Sequence, residues 1–546
     1  MHAGQARARR RFICRATLVI ACLTAPLAVP AVSAAAPSCP DVVNPSRFTS
    51  AARLHELTAK FNSFGPRILG SAAHDKAIAW LEKQARAEGL RVRSNRFRPY
   101  GWFPRTRFKH GPGLDMGAAG GLSVTRPAGS KASVSVAGAV HWSKPTSENG
   151  QGGPLVYLAP DQEITAANAA GKVVVRDFPN SSLPLGPVFP LIGLFTTPDL
   201  ASYEDYSRPY LATLHEELIA AGQAGAAGVV FAFDVPGKQV RGYYDPHVGT
   251  LYRVPAVSVG SAQATQLKAL ASQGSTARVT VLAKVARTRT RNLIATLPGR
   301  SREKIVLAAN TDGNSWVQEN GVIGMLAFAR YYAKLPKRCH PRTLELVFSS
   351  AHDGFRDDGL NPDHYPLDKK RTAFAFTIEH LGTREILPTG QGAARHLKFT
   401  GLADPALFGA GDSDALRQAA VAATKRRHLP RTAVLKGLGL PDANQAPPIC
   451  SMGGLGTLFH PRLVPTLAMI SGPWTLYDPA FGRRAIDFGQ MRSQMLAAGD
   501  SVLALDGLPR AQIAGDYPAL QRQLDEGTKT ACPNPPYPLH APGPAQ

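Results

Sequence analysis

Several signatures that would settle a chemistry at once are missing from this chain. It has no GxSxG elbow, so His352-Asp353 beside one of the many serines lacks the setting of a nucleophile-elbow triad. The glycine-rich run Ser451-Met452-Gly453-Gly454-Leu455-Gly456 has neither the lysine nor the GxGxxG spacing of a nucleotide loop. The cysteines stand alone, without the CxxC pairing usual for structural zinc. No zinc-finger, helix-turn-helix or aromatic-basic pattern points to nucleic acid. Past the first 36 residues, no apolar run is long enough to cross a bilayer, which takes about 20 residues. Acidic residues are scarce too: 39 Asp and Glu stand against 62 Lys and Arg, for a formal charge of +23.

What is present begins with an export leader. Arg7, Arg9, Arg10, Arg11 and Arg15 precede an apolar stretch from Ala16 to Val32, broken by Pro26 and Pro30. Small residues at Ala31, Ser33, Ala34, Ala35 and Ala36 suit cleavage near Ala35 or Ala36, so residues 1–36 read as a cleaved signal peptide and the protein as secreted. Removing the five leader arginines takes +23 to +18. Such a charge draws an exported protein to acidic envelope polymers or lipids, or serves solubility alone. Cys14 and Cys22 leave with the leader; Cys39, Cys339, Cys450 and Cys532 remain, an even number that favours two disulfides. Three pairings are open, and the attractive one ties the chain ends, Cys39 to Cys532, with Cys339 to Cys450.

The 546 residues suggest two to four domains at about 150 residues each. Residues 46–114 open with a helical pattern around Arg53-Leu54-His55-Glu56-Leu57. A breaker-rich loop, Phe64-Gly65-Pro66-Arg67-Ile68-Leu69-Gly70-Ser71, precedes a second helix over 72–89 and an alternating strand over 91–97. Residues 115–285 are β-rich, with runs at 132–136, 153–158, 171–175 and 254–259, and a helix over 214–221 leading into a further run to Phe231. From 286 to 510, short apolar strands (304–309, 343–348, 373–378, 466–470) alternate with helical segments such as 321–335. That alternation predicts an α/β domain whose mainly parallel, mixed sheet carries helices on both faces, with ligands beyond the carboxyl ends of the strands. Residues 511–546 read as a C-terminal tail, Pro-rich and unordered from Pro533.

Polar clusters fall at those carboxyl ends. Asn310-Thr311-Asp312-Gly313 follows the first buried strand and Gln318-Glu319-Asn320-Gly321 opens the next helix; Ser349-Ser350-Ala351-His352-Asp353-Gly354 and Glu379-His380-Leu381-Gly382 follow the next two strands. A packed core does not need such groups, whereas a metal site gathers oxygen and nitrogen donors from several elements. Asp312, Glu319, Asp353 and Glu379 are the candidate metal ligands, joined by His352 or His380. His352 is the candidate general base, since an imidazole titrates near neutrality. The alternative is structural, with these groups capping helices and satisfying backbone donors.

The order of these pieces resembles the zinc aminopeptidase and glutamate carboxypeptidase family, which includes transferrin receptor. Asn292-Leu293-Ile294-Ala295-Thr296-Leu297-Pro298-Gly299 matches its NVIA.LPG element, and the loop 64–71 its G.R..GS element. Residues 115–285 are similar to an inserted protease-associated domain, with Gly171-Lys172-Val173-Val174, Ala224-Gly225-Ala226-Ala227-Gly228-Val229-Val230 and Val254-Pro255-Ala256-Val257-Ser258-Val259 in the right order. The resemblance implies two zinc ions in a peptidase site. Carried over position by position, the first zinc histidine falls on Asn310 with its Asp kept as Asp312, and the bridging Asp on Glu319. The paired glutamates fall on His352 and Asp353, the second Asp on Glu379, and the final histidine on Trp474, with Thr475 and Asp478 kept. A looser branch with TDG…EENG, GH and EHLG motifs is nearer still. Carboxylates persist while both histidines are lost, a set better suited to magnesium, manganese or calcium than to zinc. Two functions remain: a metal-dependent aminopeptidase-type hydrolase, or an inactive homologue that binds peptides or protein partners, with Trp316, Leu455 or Trp474 filling the site.

Overall fold

The computed structural model describes residues 38–105, 116–179, 182–183, 193–201, 206–207, 214–243, 251–352, 359–437, 452, 454–471 and 479–532. The leader, Asp353, Cys450, the 472–478 loop with Trp474, and the tail from Pro533 lie outside them.

The body is built on a nine-stranded sheet. Its strands are β1 (Arg91–Phe97), β2 (Gly193–Thr196), β3 (Thr290–Leu297), β4 (Lys304–Asn310), β5 (Thr343–Ser349), β6 (Thr372–Ile378), β7 (Ala406–Ala410), β8 (Thr432–Lys436) and β9 (Thr466–Ser471). They lie in the order β1-β3-β5-β4-β6-β9-β7-β8-β2. The four central strands β5, β4, β6 and β9 are mutually parallel. β3 is antiparallel to both β1 and β5, and β7 is antiparallel to β9 but parallel to β8. β4 shows why these segments are continuous apolar runs. Ile305, Leu307 and Ala309 enter one core and Val306 and Ala308 another, so both faces are dry.

Five helices bury their apolar faces on the Ile305 side: α1 (Ala51–Asn62), α2 (Ala72–Ala87), α3 (Gly321–Ala333), α4 (Asp414–Arg426) and α5 (Phe488–Asp506). α1, α2, α4 and α5 start on the side-chain caps Ser50, Ser71, Ser413 and Asp487. The Val306 side is covered by 3-10 turns at Gly454–Leu458 and His460–Arg462, with Leu360 and Tyr365. The stretch beyond residue 510 is partly folded. Arg510–Ala514 and Tyr517–Asp525 are helices that bury Ile513, Tyr517 and Leu520 on the helical side.

Residues 120–281 build a second sheet of eight strands. Gln151–Leu158, Val173–Phe178, Gly228–Phe233 and Ala256–Val259 are successive parallel neighbours in it. A segment within this stretch departs from it to join the body: β2 pairs with β8 at the far edge of the main sheet. Asp199 accepts from the Arg431 amide and Leu200 packs on Ala433, which anchors that crossing. In return, a hairpin of the body, Arg384–Thr389 with His396–Ala403, places Ile386 and Leu397 in the inserted core.

Cys39, Cys339 and Cys532 are disulfide-bonded. Cys39 pairs with Cys339, which corrects the expected bridge to Cys532. The reason lies in the residues that follow Cys39. The Val43 amide donates to Asp500 on α5, and the Asn44 amide to Tyr331 on α3, the helix that leads into Cys339. Among the described residues no helix is long and apolar enough to cross a membrane.

Candidate functional site

The expected clusters gather where the parallel strands end. Register places Asn310 beside Ser349, so the turns after β4 and β5 start level. The turn that opens α3 packs directly on β6. A side chain at Gly321 would collide with the Ile378 carbonyl, so only glycine lets the helix start there. Asn320 locks the two turns together, donating to the Leu381 carbonyl at 2.8 Å and accepting from the Leu381 amide at 2.7 Å. Asn292 of the NLIA motif is wholly buried, accepting from the Ser350 amide and donating to the Gly359 carbonyl.

Within this frame Glu319 and His352 meet. His352 Nδ1 lies 2.7 Å from Glu319 Oε1. Glu319 is buried, and burial pushes its carboxyl above the usual range, with His352 opposing the shift. Its second oxygen, Oε2, has no hydrogen-bond partner, and neither side-chain atom of the buried Asn310 has one. Native proteins leave few buried polar atoms in that state, and each needs an explanation. Backbone strain marks the same place. Glu319, Ala351 and His380 take left-handed φ values of 67°, 71° and 51°, which cost about 1–3 kcal/mol each in residues with a side chain.

Two more residues of the site were not apparent from the sequence. Arg67 is 1% exposed, yet it is a cation. It donates to the carbonyls of Thr311, Ser315 and Gln318 and to the Asn62 amide oxygen, and it stacks on Phe61. Burial pulls its pKa down to about 10, against the opposing pull of Glu319 and Asp312. Asp312, itself fully buried, thus shares one electrostatic neighbourhood with Arg67 and Glu319. His74, on α2, contacts Thr311 Oγ1 through Nε2 at 2.8 Å, and burial lowers its pKa. The only signal for Arg67 was its place in the 64–71 loop; for His74 there was none.

Glu379 and His380 are committed to neighbouring backbone. Glu379 Oε1 accepts from the Leu455 amide at 2.7 Å, and His380 Nδ1 lies 3.0 Å from the Ser471 carbonyl, a donor's position. Leu455 therefore contributes its amide to the site, while its side chain sits in the second-face core. Trp316 packs against the core of the inserted sheet. The structure thus brings Asp312, Glu319 and His352 together, holds the Glu379 carboxylate on the Leu455 amide, and leaves Asp353 outside the described residues.

Whether a zinc pair fits follows from the donors. Asn310 offers a neutral amide where the resemblance puts an imidazole, and Glu319 gives one oxygen to His352. Glu379 gives one to a backbone amide, and a buried guanidinium already supplies positive charge. Among the described residues no three His, Cys, Asp or Glu come together as a metal group. By themselves, the described residues of this set do not make the donor pattern of two zinc ions, which want imidazoles and several uncommitted carboxylates.

No family model and no curated protein matches the sequence. Solved structures do match the fold. An M28 peptidase precursor from Shewanella amazonensis SB2B is similar at 15% identity and a TM-score of 0.57, over 85% of this chain and 95% of that one. A zinc aminopeptidase from Bacillus subtilis gives 16%, 0.54, 84% and 94%. An aminopeptidase from an Aneurinibacillus strain gives 16%, 0.51, 84% and 95%. The chain therefore has an aminopeptidase-like fold.

Proposed function

We propose that this chain is an exported, peptidase-like protein that holds the amino-terminal end of a peptide where β4, β5 and β6 end, and does so without a zinc pair. The supporting observation is the pair of orphaned acceptors, Glu319 Oε2 and Asn310 Oδ1, in a buried setting. A peptide α-ammonium brings three N–H donors and a positive charge, which is the complement of a carboxylate oxygen and an amide carbonyl. His352, seated on the other oxygen of Glu319, is the group that would move a proton at a bound peptide. In this reading residues 1–36 are the export signal, and the eight-stranded unit is a protease-associated domain beside the site.

Turnover is favoured over simple capture by one feature. Three strained non-glycine residues sit in three separate turns around the site, as happens where geometry serves chemistry. Peptide hydrolysis is then the expected reaction, with His352 as base. Fold likeness alone does not supply it.

Calorimetric titration with a short peptide, free and N-acetylated, tests the proposal. The free peptide should bind at least about 10-fold tighter, the equivalent of 1.4 kcal/mol. Glu319→Gln should erase the difference. Equal affinity for both peptides overturns the reading.

A further inference from the structure

A long two-stranded ribbon crosses from the main sheet toward the inserted one. β1 pairs with β3 from Arg91↔Thr296 to Phe97↔Thr290, and Tyr100–Pro104 pairs with Ala283–Arg287 from Tyr100↔Arg287 onward. Both stretches keep the same register, and the Thr288 amide donating to the Pro99 carbonyl joins them. Arg96 therefore faces Arg291, Arg98 faces Arg289, and Arg287 faces Tyr100. Residues opposite one another in an antiparallel ladder share a face, as do positions two apart, so these arginines form one cationic strip.

Like charges placed directly opposite in a ladder repel. At Arg291 the chain answers this with Glu82 of α2 at 2.6 Å. Among the described residues nothing does so further along. Among the described residues the side chains of Arg96, Arg98 and Arg289 make no hydrogen bond or ion pair, and all three are exposed. Arg287 is also exposed; it lies over the Tyr100 ring and donates to the Arg98 carbonyl, with no carboxylate. Several arginines elsewhere do have a carboxylate, as in Arg176–Glu217, Arg395–Asp234, Arg427–Asp500 and Arg431–Glu385. Edge strands often carry scattered charge against aggregation, but stacking like charges across a ladder is not needed for that.

We infer that this strip is a docking surface for a linear phosphodiester polymer of the cell envelope, which supplies the missing counter-charge. Guanidinium forks match phosphate oxygens in pairs, and the strip is made of arginine. Single-stranded nucleic acid is disfavoured because it seeks stacking platforms. The Tyr100 ring in this strip is half-buried and already covered by Arg287. The strip lies at the Phe97 end of β1, and Phe97 packs with Ala351 of the site turn, so docking would hold the site close to the envelope. This surface is independent of whether the site binds peptides.

The test uses the whole mature chain and immobilised poly(glycerol phosphate), with polyglutamate and duplex DNA as competitors. Affinity for the phosphate polymer should fall with salt at a log–log slope of about −3, near four neutralised charges. Arg96→Gln/Arg98→Gln/Arg289→Gln should reduce that slope to about −1 and melt no earlier than the parent, because repulsion is relieved. Unchanged binding by the triple variant overturns the inference. So does equal or better competition by polyglutamate, which would mean charge alone, or by duplex DNA, which would mean a nucleic-acid surface.

Discussion

Glu319 Oε1 lies 2.7 Å from His352 Nδ1, and this one contact joins the turn that opens α3 to the turn that follows β5. His352→Ala should therefore act through the carboxylate it leaves behind. Without the imidazole the pKa of Glu319, already raised by burial, climbs further. An acid whose folded pKa is raised gives stability below its unfolded pKa and loses it as pH rises through the folded one. The variant should lose about 2–4 kcal/mol at pH 7 and clearly less at pH 5. Urea unfolding at both pH values checks this, and a loss that does not change with pH counts against the pairing.

The same titration governs binding. Only the ionised Glu319 attracts an ammonium group, so affinity for a free amino terminus should weaken as pH falls through a range above the ordinary carboxylate value of 4.5. Titrations at pH 5, 6 and 7 would show it. A flat profile would remove Glu319 from the recognition.

Arg67→Met should be among the most damaging substitutions. It leaves three backbone carbonyls without their donor and removes the cation beside Asp312 and Glu319. The expected loss is about 3–5 kcal/mol, read from urea midpoints. A loss under about 1 kcal/mol would mean the guanidinium is not holding the turn together.

Away from the site, Asp506 receives the Tyr332 hydroxyl at 2.6 Å and lies 3.6 Å from Arg342, and burial pushes its pKa up from 3.8 to about 6. The wild type should thus lose about 2–3 kcal/mol as pH rises from 4 to 6, because each tenfold difference in proton affinity between folded and unfolded chain is worth about 1.4 kcal/mol. Asp506→Asn should lack that slope. Identical pH dependence of the two melting curves would contradict the assignment.

The parts of this architecture that could be read from sequence are those where local pattern and burial agree. β4, β5, β6 and β9 are apolar on both faces, so runs such as Ile305 to Ala309 mark them to within a residue or two. The polar turns after them were visible for the same reason, as carboxylates and imidazoles where a core would place none. The pairing of β2 with β8 was hidden, because a four-residue strand with half-buried side chains carries no period of its own. The Cys39 partner was hidden because it depends on how Val43 and Asn44 dock on α5 and α3. Arg67 looked like one charge in a loop; its burial is decided by three carbonyls more than 240 positions away.

The central claim is that this site works on peptides without a zinc pair. Its most direct test is the metal content of the purified mature protein after incubation with zinc and gel filtration, alongside Glu319→Ala and Glu379→Ala. The account predicts that wild type and both variants emerge with the same background zinc, while the wild type still binds the free-amino peptide. One or two zinc equivalents retained by the wild type and lost in both variants would contradict it and restore the two-metal aminopeptidase.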